Sequence, residues 1–272
     1  MNYSRDRYIM DHPAEADRLR NKTDAAAWAE RFLLPHLRES DHFLEVGCGP
    51  GEFVSAILSA RPGASAEGVD SSPERIETAR HRNIGYQRAR FHCHDAHDLP
   101  LDTASCDLVF SRFMLEYVRD KQRAVDEMFR VCRPGGKVVL QDLDGQLVWH
   151  DFPTPEMQRD IEKVVAKLAT TGFDAFTGRK LRQFARHAGF VNVAVAIEPY
   201  HLIAGSIDSV NRSHWLAKLE IGRPLIAQAL ESEAAAEDLI LKLLAFFDDP
   251  ETLTYSLLFT VTAERPLTGS CG

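Results

Sequence analysis

The chain has 272 residues, of which 44% are hydrophobic and 26% charged, enough to fill one large α/β domain with a packed core or two small ones. Acids outnumber bases by 40 to 32, giving a formal charge of −8, and no Lys/Arg-rich run appears, so phosphate backbones are repelled and no nucleic-acid partner is expected. No apolar stretch approaches the roughly 20 residues that span a bilayer, and the start lacks the apolar segment of a signal peptide, which predicts a cytoplasmic protein with no membrane partner.

Residues 1–40 read as helical, with a second run from Ala25 to Leu34 that stops at Pro35, and such a segment can cap a ligand mouth. Next comes an apolar strand, near 42–46, that carries Glu45 and enters the turn Gly47-Cys48-Gly49-Pro50-Gly51 before a helix over roughly 52–60. Gly47 and Gly49 let the backbone pass close to a ligand with no Cβ in the way, and the helix points its free N–H groups at the same spot. A second short strand, near 65–69, ends at Asp70, about twenty residues beyond the loop, where a carboxylate can accept hydrogen bonds from both ribose hydroxyls. A dinucleotide loop requires glycine at position 52, and the chain has Glu52, which would repel a pyrophosphate but suits a phosphate-free cationic ligand.

Further strands are expected near 89–94, 106–110, 136–142, 191–197 and 255–263, alternating with helical patterns as right-handed βαβ units do. Helical spacing also marks residues 155–189. The stretch 200–253 delays the last strand by more than fifty residues and carries an apolar stripe of Leu239, Ile240, Leu243, Leu244 and Phe247, which reads as a helical lid over an acceptor pocket or as a dimerisation arm. Five cysteines, at 48, 93, 106, 132 and 271, lack the density of a disulfide scaffold, and Cys48, Cys93 and Cys132 read as buried free thiols. His92 and His94 share one face of their strand while Cys93 points to the other, so no metal site is expected.

The Leu-Glu-Val-Gly-Cys-Gly-Pro-Gly run, residues 44–51, resembles motif I of the class I S-adenosylmethionine-dependent methyltransferases. Three later segments are similar to that family in order: 91–100, which ends in Asp98-Leu99-Pro100; 105–112, with Ser111 and Arg112 at its end; and 130–140, with Arg133-Pro134-Gly135-Gly136. Together the four cover about residues 41–144. The start Tyr8-Ile9-Met10-Asp11-His12, followed by Glu15 to Leu19, resembles the N-terminal cap of the small-molecule branch related to quinone-biosynthesis and natural-product enzymes.

That resemblance implies an α/β fold with a seven-stranded, Rossmann-like, mostly parallel sheet, helices on both faces and an antiparallel last strand inserted among its predecessors. It implies one methyltransferase domain over 1–272, with a cap over 1–40, a cofactor-binding core over 41–199 and 254–265, and the 200–253 insertion. The cofactor is S-adenosyl-L-methionine and the partner a small-molecule methyl acceptor, with a homodimer as a further expectation. Glu45 accepts from the methionine ammonium; Gly47, Cys48 and Gly49 form the cradle; Asp70 and Ser71 take the ribose; Asp95 and Ala96 meet the adenine; Ser111 and Arg112 line the methionine half. Tyr8, and with it Tyr3, is a candidate to close over the sulfonium, and Arg18 reads as helix surface. A nucleic-acid or protein methyltransferase, or a cofactor-binding module without transferase activity, is the alternative.

Methyl transfer from a sulfonium is an in-line displacement, in which holding donor and acceptor in near-attack geometry supplies on the order of 7–11 kcal/mol. For a base, Asp142, Asp144 and His150 are expected just past strand five, on the crevice side of the sheet, and His150 with Asp144 beside it is the first choice. His201 and His214 are the runners-up. Trp149 and Phe152 could wall an aromatic acceptor.

Overall fold

The apolar runs of the sequence become strands, and their period-two alternation decides which helices cover each face. The computed structural model describes residues 24–151 and 153–267, so Tyr3, Tyr8, Arg18, Phe152 and Cys271 lie outside the described residues. Helix α1 (Ala25–Phe32) starts at Asp24, whose carboxylate accepts from the Ala27 N–H at 3.0 Å. A 3-10 turn, Leu34–His36, takes in Pro35 and ends the helical run. Then β1 (His42–Val46), α2 (Glu52–Ala60), β2 (Ser65–Asp70), α3 (Pro73–Arg82), β3 (Ala89–Cys93), β4 (Cys106–Arg112), α4 (Lys121–Val131) and β5 (Cys132–His150) follow. The chain continues with α5 (Pro155–Ala169), α6 (Leu181–Ala188), β6 (Val191–Ala204), α7 (Ser209–Leu230), α8 (Glu233–Asp248) and β7 (Leu253–Glu264).

The seven strands run in the order β3-β2-β1-β4-β5-β7-β6. Strands β1 to β5 pair in parallel, with Phe43 against Ala66 and Leu108, and Ser111 against Leu140. Strand β7 runs against them: Gly135 and Gly136 exchange backbone hydrogen bonds with Arg265 near one end of β5, and the Asp151 N–H reaches the Leu253 carbonyl at the other. An α/β sheet with an antiparallel last strand is therefore present, as expected from the sequence.

By contact density the chain forms two compact units. The larger comprises 24–142, 178–197 and 259–267 of the described residues, and the smaller 143–177 and 198–258 without residue 152. Strands β5, β6 and β7 each contribute residues to both. In the larger unit Leu44, Val46, Val109, Val138 and Leu140 pack beneath α4 and α6, while Phe43, Phe110 and Val139 pack beneath α1, α2 and α3. Alternate residues thus feed opposite layers. The smaller unit has its own core, in which Met157 and Ile161 of α5, Trp215 and Leu219 of α7, and Leu239, Ile240, Leu243, Leu244 and Phe247 of α8 meet Ile203 of β6.

Four expectations need correction. Strand β5 does not end at 142 but runs to His150, so Asp142, Asp144 and His150 are strand residues instead of loop residues beyond it. Two acids in three positions read as a strand end by propensity, but β7 supplies a pairing partner for that length of chain, and tertiary pairing overrides propensity. Strand β5 also begins earlier, at Cys132, and the Arg-Pro-Gly-Gly run is absorbed where the register with β4 jumps from Cys106–Cys132 to Leu108–Lys137. Strand β6 reaches Ala204, so 200–204 is strand and not helix. Cys93 is exposed, because it ends β3 at the edge of the sheet.

Candidate functional site

The motif I residues come together in the larger unit at the carboxyl ends of β1, β2 and β4. The loop leaves β1 through Gly47 at φ +79° and turns at Gly49 at φ +51°, both in the left-handed region that favours glycine. Two backbone bonds hold it: the N–H groups of Gly47 and Cys48 donate to the Val69 carbonyl at 2.7 and 3.0 Å. A Cβ on Gly47 would lie 2.5 Å from Cγ of Met114, whereas one on Gly49 would meet nothing within 4 Å. Gly47 therefore serves packing, and Gly49 borders open space.

Asp70 ties the two strand ends together. Its Oδ2 accepts from the Gly49 N–H and its Oδ1 from the Ser72 N–H, both at 2.9 Å, while Ser72 itself caps α3. Each carboxylate oxygen keeps a lone pair for a ribose hydroxyl. Ser71, exposed, adjoins it, and the Cys48 thiol is buried and pushed well up by that burial.

Glu45 is the most unusual group in the site. Its side chain is 3% exposed and Oε2 has no hydrogen-bond partner among the described residues. Burial pushes its carboxyl well above the usual carboxylate range; Arg112 and the Val54 N–H oppose that shift, and Asp70 and Glu52 add to it. Ser111 Oγ, 1% exposed at the end of β4, is a second buried polar atom without a partner among the described residues. Buried polar atoms of this kind are rare, and leaving them without a partner costs free energy that a bound donor would recover. An open glycine turn, an acid tied into it at a strand end and an unfilled buried carboxyl oxygen fit a ligand that brings a ribose and an amino group.

Arg112 sits in an aromatic enclosure, its guanidinium carbon 4.2 Å from the Trp28 ring centroid, 4.1 Å from Phe113 and 5.5 Å from Phe53. Trp28 Nε1 donates to Gln141 Oε1 at 2.7 Å, and Gln141 Nε2 donates to Thr260 Oγ1 at 2.9 Å. Sequence reasoning missed Trp28 and Gln141. Gln141 stands opposite Arg112 in the β4–β5 register, and a glutamine inside an apolar strand was the available signal.

Asp95 and Ala96 lie beyond β3. Asp95 is exposed and accepts from the His97 N–H at 2.8 Å, with His97 Nδ1 2.6 Å from the same oxygen, and Ala96 packs on the core beneath α4. His92 is engaged by Glu67 at 2.5 Å, Glu52 pairs with Arg82, and no group of three His, Cys, Asp or Glu among the described residues could hold a metal ion.

Asp144 and His150 belong to the smaller unit. Asp144 is 1% exposed. His150 is half-buried, its Nδ1 2.8 Å from Thr254 Oγ1 and its ring against Phe246 and Phe247, with centroids 5.6 and 6.1 Å away. His201 makes the parallel contact two residues along β7, Nδ1 to Ser256 Oγ at 3.2 Å. Trp149 lies against Tyr255 at 5.3 Å and Phe176 at 6.4 Å.

A family model described as a methyltransferase domain matches residues 44–140. The chain is 30% identical over 243 residues to 27-O-demethylrifamycin SV methyltransferase of Amycolatopsis mediterranei, covering 86% of this chain and 80% of that protein. It is 34% identical over 172 residues to an uncharacterized 37.1 kDa protein in a transposon of Streptomyces fradiae, covering 62% of this chain and 49% of that one. The chain thus spans about half the length of the second relative. Its fold is similar to that of Haemonchus contortus phosphoethanolamine N-methyltransferase 2 solved with S-adenosyl-L-methionine, at a TM-score of 0.56 and 20% identity over 89% of this chain and 52% of that chain.

Proposed function

The chain belongs to the class I S-adenosylmethionine-dependent methyltransferase family, and on that premise we propose that it transfers a methyl group to a small-molecule metabolite. The observation that carries the reading is Glu45, a buried carboxyl with one oxygen unfilled, behind a glycine turn tied to Asp70. The cofactor, when bound, supplies an electrophilic methyl on a sulfonium. Glu45 takes its amino group, Asp70 and Ser71 its ribose, Asp95 and Ala96 its adenine, and Ser111 and Arg112 its methionine half, while Gly47, Cys48 and Gly49 shape the passage.

An oxygen acceptor is favoured by the rifamycin relative, whose name specifies an O-linked methyl. In that reading His150 removes the hydroxyl proton of the acceptor, supported by Thr254, whose Oγ1 engages Nδ1, and by the Phe246 and Phe247 rings packed against the imidazole. With Nδ1 held by Thr254, Asp144 contacts the acceptor more readily than the imidazole. The 200–253 segment serves acceptor selection as a lid. A homodimer is part of the same reading, supported by exposed Val191, Val195 and Ile197 on the edge strand β6, and the four free thiols among the described residues favour a reducing, cytoplasmic compartment.

Incubation with methyl-labelled cofactor and a metabolite extract tests the reaction. Label should enter a small-molecule fraction; label in protein or nucleic acid, or none despite cofactor binding, overturns it. His150→Ala should lower transfer about 10²–10⁴-fold with cofactor affinity kept. A variant with wild-type turnover at every pH removes His150 from the mechanism.

A further inference from the structure

We propose that Glu45 is a proton-linked receptor for the cofactor's amino group: it is uncharged in the ligand-free protein and surrenders one proton to solvent when a ligand ammonium docks. The inference rests on the cofactor assignment above and goes further, to what binding does to the charge of this chain.

The groups that act on Glu45 come from β2, β4, α2 and the glycine loop. Arg112 at the end of β4 favours the ionised form, as does the Val54 N–H in the first turn of α2. Asp70 at the end of β2 and Glu52 at the start of α2 oppose it, and the Cys48 thiol of the loop is buried beside them. Burial outweighs all of these. The geometry agrees, because Oε2 is sealed from water and receives no donor among the described residues. A carboxylate there would lack solvation on that oxygen, while a carboxylic acid carries its own hydrogen.

An arriving ammonium supplies both the donor and the charge. The Oε2–H bond then breaks, its electron pair stays on the carboxylate, the proton passes to a buffer base, and the carboxylate accepts from the ligand N–H. The Glu45 pKa is lower in the complex than in the free protein, so affinity for an amino-bearing ligand rises with pH. The rise approaches tenfold per unit below the pH at which free Glu45 ionises and levels off above it.

The test is proton counting by calorimetry near pH 6, in two buffers of different ionisation heat, with S-adenosylhomocysteine and with 5′-methylthioadenosine, which lacks the amino acid portion. The ligand amine is already protonated there, and a glutamate with the ordinary pKa of about 4.3 would release only a few hundredths of a proton. S-adenosylhomocysteine should release several tenths or more, 5′-methylthioadenosine almost none, and the weakened binding left in Glu45→Gln should come without the release. Equal release with both ligands, no release with S-adenosylhomocysteine, or undiminished release in Glu45→Gln overturns the inference and leaves the cofactor assignment standing. No binding of S-adenosylhomocysteine at all overturns both. The two-ligand comparison on the unaltered protein keeps the inference falsifiable should the variant fail to fold.

Discussion

Two glycines separated by one residue should respond to the same substitution in different ways. Gly47 is at φ +79° and Gly49 at φ +51°, so alanine at either pays the left-handed backbone cost of about 1–2 kcal/mol. At Gly47 the new methyl would also meet the Met114 side chain at 2.5 and 2.7 Å, and forcing a packed neighbour aside adds about 1–3 kcal/mol. The sum is about 2–5 kcal/mol, a fall in melting temperature of roughly 5–15 °C in a chain of this size. Gly49→Ala should lose only the backbone part, yet its methyl projects into the space the loop leaves for a ligand, so S-adenosylhomocysteine affinity should fall at least about tenfold, or 1.4 kcal/mol. Thermal unfolding and calorimetric titration of both variants give the comparison. If Gly47→Ala melts where Gly49→Ala does, Met114 is not packed against the turn and the division of labour between the two glycines is refuted.

Asp70→Ala removes the acceptor for two backbone N–H groups and, on the proposed cofactor assignment, for the ribose, and should weaken S-adenosylhomocysteine binding by roughly 1.5–3 kcal/mol in calorimetry, whereas unchanged affinity would show the ribose acid to lie elsewhere. Trp28→Phe leaves Gln141 Oε1 without its 2.7 Å donor and should cost about 1–2 kcal/mol in urea unfolding; a neutral result would make that bond dispensable. Side-chain hydrogen bonds with Cys106 and Glu67 outweigh burial and raise His42 to about 10. Because this lies above the unfolded value of 6.5, the stabilisation is complete below pH 6.5 and lost as pH rises toward 10, so His42→Gln should flatten unfolding free energy across that window, and an unaltered slope would exclude His42 as its source.

The motif I cluster was legible because its chemistry constrains local chain geometry. A tight turn of this kind needs positive φ, which only glycine adopts cheaply, so Gly47, Gly49 and the strand-end Asp70 could be picked out from spacing, and Glu45 from the resemblance to motif I. Trp28 and Gln141 were not legible, since their bond joins residues 113 positions apart and exists only once α1 lies over β5. The end of β5 was misread for a related reason. Asp142 and Asp144 are poor strand formers, and what keeps the chain extended through them is β7, a hundred residues later. Moving His150 from loop to strand follows from that one distant pairing. The unfilled oxygen of Glu45 is likewise invisible in a sequence, which shows an acid but not what surrounds it.

The position of β7 between β5 and β6 has a consequence during synthesis. A ribosome that has delivered the chain through Ala204 has produced both flanking strands but not the one that belongs between them, and α7 and α8 must be made before it appears. Throughout that interval the growing chain presents two open strand edges rich in valine, isoleucine and leucine, the kind of template on which neighbouring chains pair. A product truncated near residue 250 would retain every motif I residue and still have no closed sheet, so it should accumulate in inclusion bodies or on chaperones. Slow codons between 205 and 252 should lower yield more than the same codons after 253.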